Sequence, residues 1–310
     1  MFKNIVFMGT SNFAVSILKS LYQNGYPISY VYTQPPKKSY RGQKINKSPV
    51  NIISETLNLE IRTPKILKEN YDEEKFLKKI KPDLGIVVAY GKIIPKNLLE
   101  IPKFGFINVH ASLLPKWRGA APIQRSIMNL DNETGVTIMK LNESLDEGPL
   151  YSQYKIKIAP NINAEELSET LSNLASQKIL DELDNIFEKK IKCKNQNHEE
   201  ATYAKKIEKS EGKINWNDTA QNILGKINGL YPNPGAWFIY KGERYKILKA
   251  EIGSSSLKIG EVINDHLEIS CKNGTSIKIL QIQRQGKNTQ NINEFVLGSK
   301  IKKGSNLNNV

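Results

Sequence analysis

The first 190 residues alternate between short apolar runs and amphipathic stretches, and this alternation constrains the fold more than any other feature. Strand-like runs occupy residues 3–9, 28–34, 84–91, 104–110, 135–141 and 151–158. Stretches with helical periodicity occupy residues 12–25, 50–58, 71–82, 121–130 and 163–190. Repeated strand–helix units predict an α/β fold with a doubly wound, mostly parallel, Rossmann-like sheet.

The remainder of the chain has a different pattern. Regular periodicity disappears over residues 191–208, which we interpret as a linker. A short helix over residues 218–230 then precedes brief alternating segments separated by Gly- and Asn-containing turns, at residues 236–240, 244–252, 260–263, 266–271 and 275–283. This pattern predicts a small antiparallel β-barrel. We therefore expect an N-terminal domain of residues 1–190, a linker, and a C-terminal domain of residues 209–310.

The chain is strongly basic, and its charge is unevenly spread. The formal net charge is +14, and residues 201–310 carry 17 Lys and Arg against 9 Asp and Glu. A basic C-terminal domain favours a polyanionic partner, with nucleic acid as the leading candidate. A Lys- and Asn-rich composition that decorates every solvated face explains the same numbers equally well, so charge alone leaves both interpretations open.

The apolar runs and the cysteines indicate the cellular compartment of the protein. No apolar run reaches the about 18 residues that a membrane-spanning helix needs. The N-terminus lacks the cleavage pattern of a signal peptide and is typical of a first buried strand. Cys193 and Cys271 lie far apart, without metal-binding spacing. We expect a reduced, cytoplasmic protein with no membrane segment, and nothing in the sequence demands more than a monomer.

Three polar side chains, Asn108, His110 and Asp146, lie in or beside apolar runs of the block from Phe106 to Gly148. A buried polar group costs free energy unless it is hydrogen-bonded. Asn108 and His110 are two residues apart, so on a strand they project from one face at its carboxyl end, where open α/β sheets build their sites. The block predicts an assembled amide, imidazole and carboxylate; the alternative is a polar trio that only ties a strand to a loop.

A nucleotide cofactor and a metal are both disfavoured by the sequence. The turn at Gly9 follows a strand, but GxGxxG is absent and no acidic residue follows at the expected distance. The chain has three histidines and no HxxH, HExxH or CxxC pattern. We therefore predict neither cofactor.

The segment of residues 35–49 is rich in breakers and positive charge, with no apolar period, and we expect an exposed loop. It carries Lys37, Lys38, Arg41, Lys44 and Lys47. Such a loop can clamp phosphates or enter a nucleic-acid groove. The alternative is a solvated, charged loop without a partner.

Several motifs together resemble a known family. They are GTSNFA from Gly9, TQP from Thr33 with RG at residues 41–42, SPV from Ser48, VVAYG at residues 87–91, NVHASLLPKWRGAAPIQ from Asn108, ETGVTIM and LDEGP. In these motifs, over nearly its whole length, the chain resembles the formyltransferases that use 10-formyltetrahydrofolate, and among them those that act on methionyl-tRNA. The central block is long and specific compared with a bare short motif.

The resemblance implies a reaction and three catalytic residues. The formyl group of 10-formyltetrahydrofolate passes to the α-amino group of methionyl-initiator tRNA, giving N-formylmethionyl-tRNA for translation initiation. The family's catalytic positions fall on Asn108, His110 and Asp146. Asn108 would donate to the oxyanion, His110 would donate to it or shuttle a proton, and Asp146 would orient the imidazole and favour its charged form.

The resemblance also implies binding residues for both substrates. The segment that contacts folate is Ser112, Leu113, Leu114 and Pro115, and we expect the neighbouring strand end to complete the pocket with Val88, Tyr90 and Gly91. The basic loop is expected to hold the tRNA acceptor arm through Arg41 above all, with Lys37, Lys38 and Lys44. The C-terminal domain is expected to be an OB-like barrel that supports the tRNA by its positive surface.

The sequence departs from the family pattern in the first domain, and two other functions remain open. The family often has Pro where this chain has Ser11 and Asp where it has Pro36, which bears on loop conformation and tRNA grip rather than on chemistry. A formyltransferase acting on a sugar-nucleotide or purine-pathway amine would share NVHASLLP, although a purine-pathway enzyme would not need a basic barrel. A catalytically idle RNA-binding protein would use the loop and barrel alone.

Overall fold

The computed structural model describes residues 3–39, 44–255 and 258–308, and the chain forms two compact units. The first unit comprises Met1–Pro122, Thr134–Ile156 and Ser168–Ala204, and the second comprises Ile123–Glu133, Lys157–Leu167 and Lys205–Val310. Two short segments from the predicted N-terminal domain therefore group with the C-terminal residues. The division at residues 190 and 208 rests on sequence pattern alone and stays a prediction.

The regular elements are as follows. The strands are β1 (Ile5–Gly9), β2 (Ile28–Tyr32), β3 (Lys37–Ser39), β4 (Lys44–Asn46), β5 (Ile61–Arg62), β6 (Leu84–Val88), β7 (Phe106–His110), β8 (Arg118–Gly119), β9 (Glu133–Lys140), β10 (Leu150–Lys157), β11 (Tyr203–Ala204), β12 (Ala236–Tyr240), β13 (Glu243–Ser254), β14 (Glu268–Ser270), β15 (Thr275–Arg284) and β16 (Thr289–Asn291). The α-helices are α1 (Asn12–Gln23), α2 (Pro49–Thr56), α3 (Tyr71–Ile80), α4 (Lys96–Leu99), α5 (Pro122–Met128), α6 (Ala164–Phe187), α7 (Ala220–Gly229) and α8 (Ile292–Gly298).

A seven-stranded sheet forms the core of the first unit, in the order β10-β9-β7-β6-β1-β2-β5. Strands β7, β6, β1, β2 and β5 pair in parallel, whereas β9 pairs antiparallel to β7. The predicted Rossmann-like, mostly parallel sheet is confirmed. Because β1 adjoins β6 and β6 adjoins β7, the loops after β1, β6 and β7 leave the sheet along one edge.

The first strand and helix show how the sequence specifies this sheet. All five residues of β1 are buried, because their side chains face helices or strands on both sides. Helix α1 buries one apolar stripe, made of Phe13, Ala14, Ile17, Leu18 and Leu21. Gly25 follows the helix with φ of 74°, a conformation that favours glycine, and ends it as the sequence predicts.

The segment of residues 35–49 is not the irregular loop that we expect from its composition. Strands β3 and β4 pair antiparallel, with Lys37 opposite Asn46 and Lys38 opposite Ile45. Backbone hydrogen bonds can form such a hairpin without an apolar face, so the charged composition hides it. Arg41 lies outside the described residues.

The segment interpreted as a linker also contains regular structure in the first unit. Strand β11 pairs in parallel with β8, so Tyr203 lies opposite Arg118 and Ala204 opposite Gly119. Lys194 forms an antiparallel bridge with Leu150. A strand of two residues has no period that a sequence can display, which is why this pairing is invisible in the pattern.

The second unit contains an antiparallel sheet in the order β12-β13-β15-β14, with β16 also paired to β15. Its apolar core includes Trp216, Phe238 and Tyr245, with Phe238 stacked on Tyr245 at 5.4 Å between ring centroids. The predicted strand over residues 260–263 is wrong, because Glu261 and Val262 form only isolated bridges there. Helix α8 was not predicted. Antiparallel pairing is confirmed, whereas closure into a barrel stays a prediction.

Candidate active site

Strand β7 presents Asn108 and His110 at the edge of the sheet where β1, β6 and β7 end. Asn108 lies opposite Val87 of β6 and Met139 of β9, and His110 lies opposite Thr137. Both side chains are buried, at 9% and 6% exposure. Because they are two residues apart on one strand, they project from the same face, as the sequence predicts.

The turn between β9 and β10, residues 141–149, brings Asp146 to the same place. The Asp146 carboxylate accepts hydrogen bonds from Asn108 Nδ2 at 3.3 Å and from the Gly119 amide at 2.8 Å. Asp146 itself has φ of 54°, in the left-handed region. A Cβ at Gly148 would lie 1.8 Å from the Lys140 carbonyl oxygen, so this turn requires glycine there.

The imidazole of His110 lies between two acceptors. Its Nε2 is 2.9 Å from the carbonyl oxygen of Trp117, and its Nδ1 is 3.6 Å from Asp146 Oδ2. A carbonyl oxygen only accepts, so Nε2 carries a hydrogen and donates it. In the neutral ring Nδ1 is therefore the basic nitrogen, and it faces the carboxylate at a distance just beyond a hydrogen bond.

The arrangement combines three different chemical abilities around Asp146. Asn108 is a neutral donor with two amide hydrogens, of which one goes to Asp146. His110 exposes a basic nitrogen toward a carboxylate that would stabilise its protonated form. A donor for a developing oxyanion beside a base is the combination that transfer of an acyl-type group requires.

The segment Ser112–Pro115, predicted to contact folate, follows β7 directly and is tied down by hydrogen bonds. Thr137 Oγ1 donates to the Ser112 carbonyl at 2.6 Å, and Gln153 Nε2 donates to the Leu114 carbonyl at 2.7 Å. Leu114 is buried, whereas Leu113 and Pro115 are half-buried. These hydrogen bonds fix the shape of the segment. The carbonyl oxygens of Ser112 and Leu114 each keep a second lone pair that can accept another hydrogen bond.

The three residues predicted to complete the pocket from β6 and beyond differ in accessibility. The side chains of Val88 and Tyr90 are buried at 0% and 1% exposure, and Tyr90 packs into the apolar core of the first unit. Gly91 is exposed. The contribution of Val88, Tyr90 and Gly91 to a ligand pocket stays a prediction.

The basic residues predicted for tRNA are only partly described. Lys37 is exposed at the start of β3, while the backbones of Lys38 and Lys44 lie in β3 and β4. Burial, and then the positive charge of Lys37, lower the pKa of Lys92. The Lys92 ammonium donates to the carbonyl oxygens of Pro64 and Lys65, and it is near enough to Lys37 for the two positive charges to repel each other.

Sequence reasoning missed the residues that support the turn. The Gly119 amide bonds the Asp146 carboxylate, and the amide of Gln196 bonds the backbone on either side of Glu147. Among the residues that the structure describes, Arg118 is the largest fully buried side chain, at 1% exposure. In the sequence, only Arg118 signals such a role, because it is an arginine inside an apolar block. Gln196 gives no signal, because it lies in a segment without any pattern.

Residues 3–39, 44–255 and 258–308 contain neither a candidate metal cluster nor a candidate membrane-spanning helix. Within these ranges no group of three or more His, Cys, Asp or Glu side chains could hold a metal ion. No helix there combines the length and the apolar character needed to cross a bilayer.

Comparison with known proteins places both parts of the chain. Residues 3–183 match the family model described as formyl transferase, and residues 206–300 match the formyl transferase C-terminal domain. WlaRD, a sugar 3N-formyl transferase crystallised in the presence of dTDP and 5-N-formyl-tetrahydrofolate, has a TM-score of 0.66 at 20% identity, covering 93% of this chain and 100% of its own. At that identity the likeness establishes a shared fold.

Two relatives are much more similar in sequence. A methionyl-tRNA formyltransferase of Pelagibacter ubique (strain HTCC1062) is 64% identical over 310 residues, covering 100% of both chains. A methionyl-tRNA formyltransferase of Ehrlichia canis (strain Jake) is 44% identical over 303 residues, covering 96% of this chain and 97% of its own. The chain therefore belongs to the formyl transferase family, in the branch of the methionyl-tRNA formyltransferases.

Proposed function

We propose that this protein transfers the formyl group of 10-formyltetrahydrofolate to the α-amino group of methionyl-initiator tRNA, supplying N-formylmethionyl-tRNA for translation initiation. The observation that carries the proposal is the convergence of Asn108 and His110 on Asp146. It occurs in a chain 64% identical over its full length to a methionyl-tRNA formyltransferase.

Asn108 stabilises charge on the formyl oxygen. One of its amide hydrogens is donated to Asp146 Oδ1, which fixes the plane of the amide. The second hydrogen donates to the formyl oxygen, on which negative charge develops as the amine adds to the formyl carbon. A positioned donor of this kind typically contributes a factor of about 100 to 1,000 in turnover.

His110 moves the proton. Its Nε2–H is held by the Trp117 carbonyl, so Nδ1 is the atom that accepts the proton lost by the attacking amine. Asp146 Oδ2, at 3.6 Å, stabilises the imidazolium that results. The new bond joins the amine nitrogen to the formyl carbon, the bond from that carbon to the folate nitrogen breaks, and Nδ1 returns the proton to that nitrogen.

The remaining assignments follow from the same proposal. Residues Ser112–Pro115 hold the folate ring, with Leu113 and Leu114 as apolar wall. The neighbouring strand end, with Val88, Tyr90 and Gly91, completes the pocket. No metal and no nucleotide cofactor take part. The basic segment of residues 35–49, with Arg41, Lys37, Lys38 and Lys44, grips the acceptor arm, and the C-terminal sheet, closed into an OB-like barrel, supports the tRNA. The protein acts in the cytoplasm as a monomer.

The test is formyl transfer by the purified protein with 10-formyltetrahydrofolate and two acceptors in parallel. Methionyl-initiator tRNA is the proposed acceptor, and an amino-sugar nucleotide is the competing one. We expect N-formylmethionyl-tRNA and no formylated sugar. Formylation of the sugar alone, or tRNA binding without transfer, would overturn the proposal.

A further inference from the structure

We infer that Gln196 and Arg118 are positioning residues that hold Asp146 in the geometry used for transfer. This inference rests on the proposed function and adds two residues to the same site. Gln196 Nε2 donates to the carbonyl oxygens of Asp146 and Gly148, both at 2.8 Å. One side-chain amide thus holds the backbone on both sides of Glu147.

Gln196 is itself held by Arg118. Its Oε1 accepts from Arg118 Nε at 3.1 Å and from Arg118 Nη2 at 2.8 Å. Both side chains are buried, at 6% and 1% exposure. Gln196 therefore uses both amide hydrogens and its oxygen, and its rotamer and amide orientation are fixed by its partners.

The charge of Arg118 is balanced within the same turn. Arg118 Nη1 donates to Glu147 Oε1 at 3.0 Å, so the residue beside Asp146 neutralises the buried guanidinium. Both Nη atoms also lie 3.4 Å from Nδ1 of His198. A planar guanidinium can reach these partners together, which the single ammonium of a lysine cannot.

The backbone next to Arg118 completes the hold on Asp146. Gly119 N–H donates to Asp146 Oδ2 at 2.8 Å, while Arg118 N–H donates to the Thr202 carbonyl at 2.9 Å. Asp146 has a left-handed φ, which a non-glycine residue keeps only where its surroundings enforce it. Arg118–Gly119 and Gln196 fix the carbonyl and the carboxylate of Asp146 from two directions, so we expect the contact with His110 to depend on them.

The test substitutes Gln196 and follows His110 directly. Gln196→Met removes all four side-chain hydrogen bonds at nearly constant size, and Gln196→Glu keeps the acceptor for Arg118 but loses the donors. Gln283, whose amide donates to the Lys287 carbonyl at 2.9 Å, supplies matched controls as Gln283→Met and Gln283→Glu. The readouts are kcat and KM for transfer, the thermal midpoint, and ¹⁵N spectra of the imidazoles, of which the chain has three.

We expect both Gln196 variants to lose about 10- to 100-fold in kcat, with KM for each substrate within about threefold. The His110 nitrogen resonances should move, His266 should stay, and the Gln283 variants should match wild type. Folded Gln196 variants with wild-type kcat and unmoved His110 resonances would overturn the inference, as would a loss confined to the thermal midpoint. The spectra need no substrate, so an inactive wild type would end the proposed function while leaving this test readable.

Discussion

Strand β7 and the β9–β10 turn place the two parts of the candidate site by different means. On β7, Asn108 and His110 owe their shared face to strand geometry alone. Pairing with β6 and β9 fixes the position of β7 in the sheet. In the turn, Asp146 has a left-handed backbone held by Gly119 and Gln196 from distant parts of the chain. One half of the site is therefore built by local pattern, and the other by long-range hydrogen bonds.

The largest expected effect is on the strand. His110→Ala removes the basic nitrogen, and we expect kcat to fall by about 100- to 10,000-fold while the thermal midpoint changes little. Single-turnover transfer at saturating substrates measures it. The exposed His266→Ala is the control and should keep wild-type kcat. Transfer by His110→Ala at the wild-type rate would contradict the proton role.

The turn should be the more fragile region. Gly148→Ala puts a Cβ against the Lys140 carbonyl, so the turn must shift and carry Asp146 away from Asn108. We expect kcat to fall by about 100-fold and stability by about 1–3 kcal/mol. Chemical denaturation and transfer assays measure the two effects.

The control for this turn is Gly298→Ala, where a Cβ meets nothing within 4 Å. It should leave both quantities near wild type. If Gly148→Ala behaves like Gly298→Ala, the turn tolerates movement and the contrast with β7 disappears.

We expect the affinity for methionyl-tRNA to be separable from the chemistry at β7 and at the β9–β10 turn. Arg41→Ala is expected to raise KM for methionyl-tRNA by about 10-fold, since one charge-assisted phosphate contact is lost, and to reduce the salt slope of binding by about 1. Single-turnover kcat at saturating tRNA should stay at the wild-type value. An unchanged KM and salt slope would show that the hairpin is a solvated face without a partner.

The smallest effect is expected from a buried hydrogen bond of the sheet that involves none of the three proposed catalytic residues. Tyr32 donates to Glu73 Oε2 at 2.9 Å in the buried core of the first unit. Tyr32→Phe removes that bond and should cost about 1 kcal/mol of unfolding free energy, with kcat unchanged. A drop in kcat larger than twofold would mean that general loosening of the sheet also disturbs the site. The effects of substitutions in β7 and in the β9–β10 turn could then not be assigned to those regions.

The sequence predicts the parallel sheet and the strand half of the site, because both follow from periodicities of two and of about 3.6. Asn108 and His110 could be placed on one face from their spacing. The contacts of Asp146 with Gly119 and Gln196 could not be predicted, since Gly119 lies in a two-residue strand and Gln196 in a segment without period. The pairing of β3 with β4 was hidden for a similar reason, because backbone pairing leaves no apolar signature.

Our proposal is that the carboxylate of Asp146, delivered by the turn, completes the site on β7. Its most direct test is the single-turnover rate of formyl transfer by Asp146→Asn, which keeps the shape and removes the charge beside His110. We predict a rate at least about 100-fold below wild type, with an unchanged thermal midpoint. A rate within about twofold of wild type in the folded variant would contradict the claim.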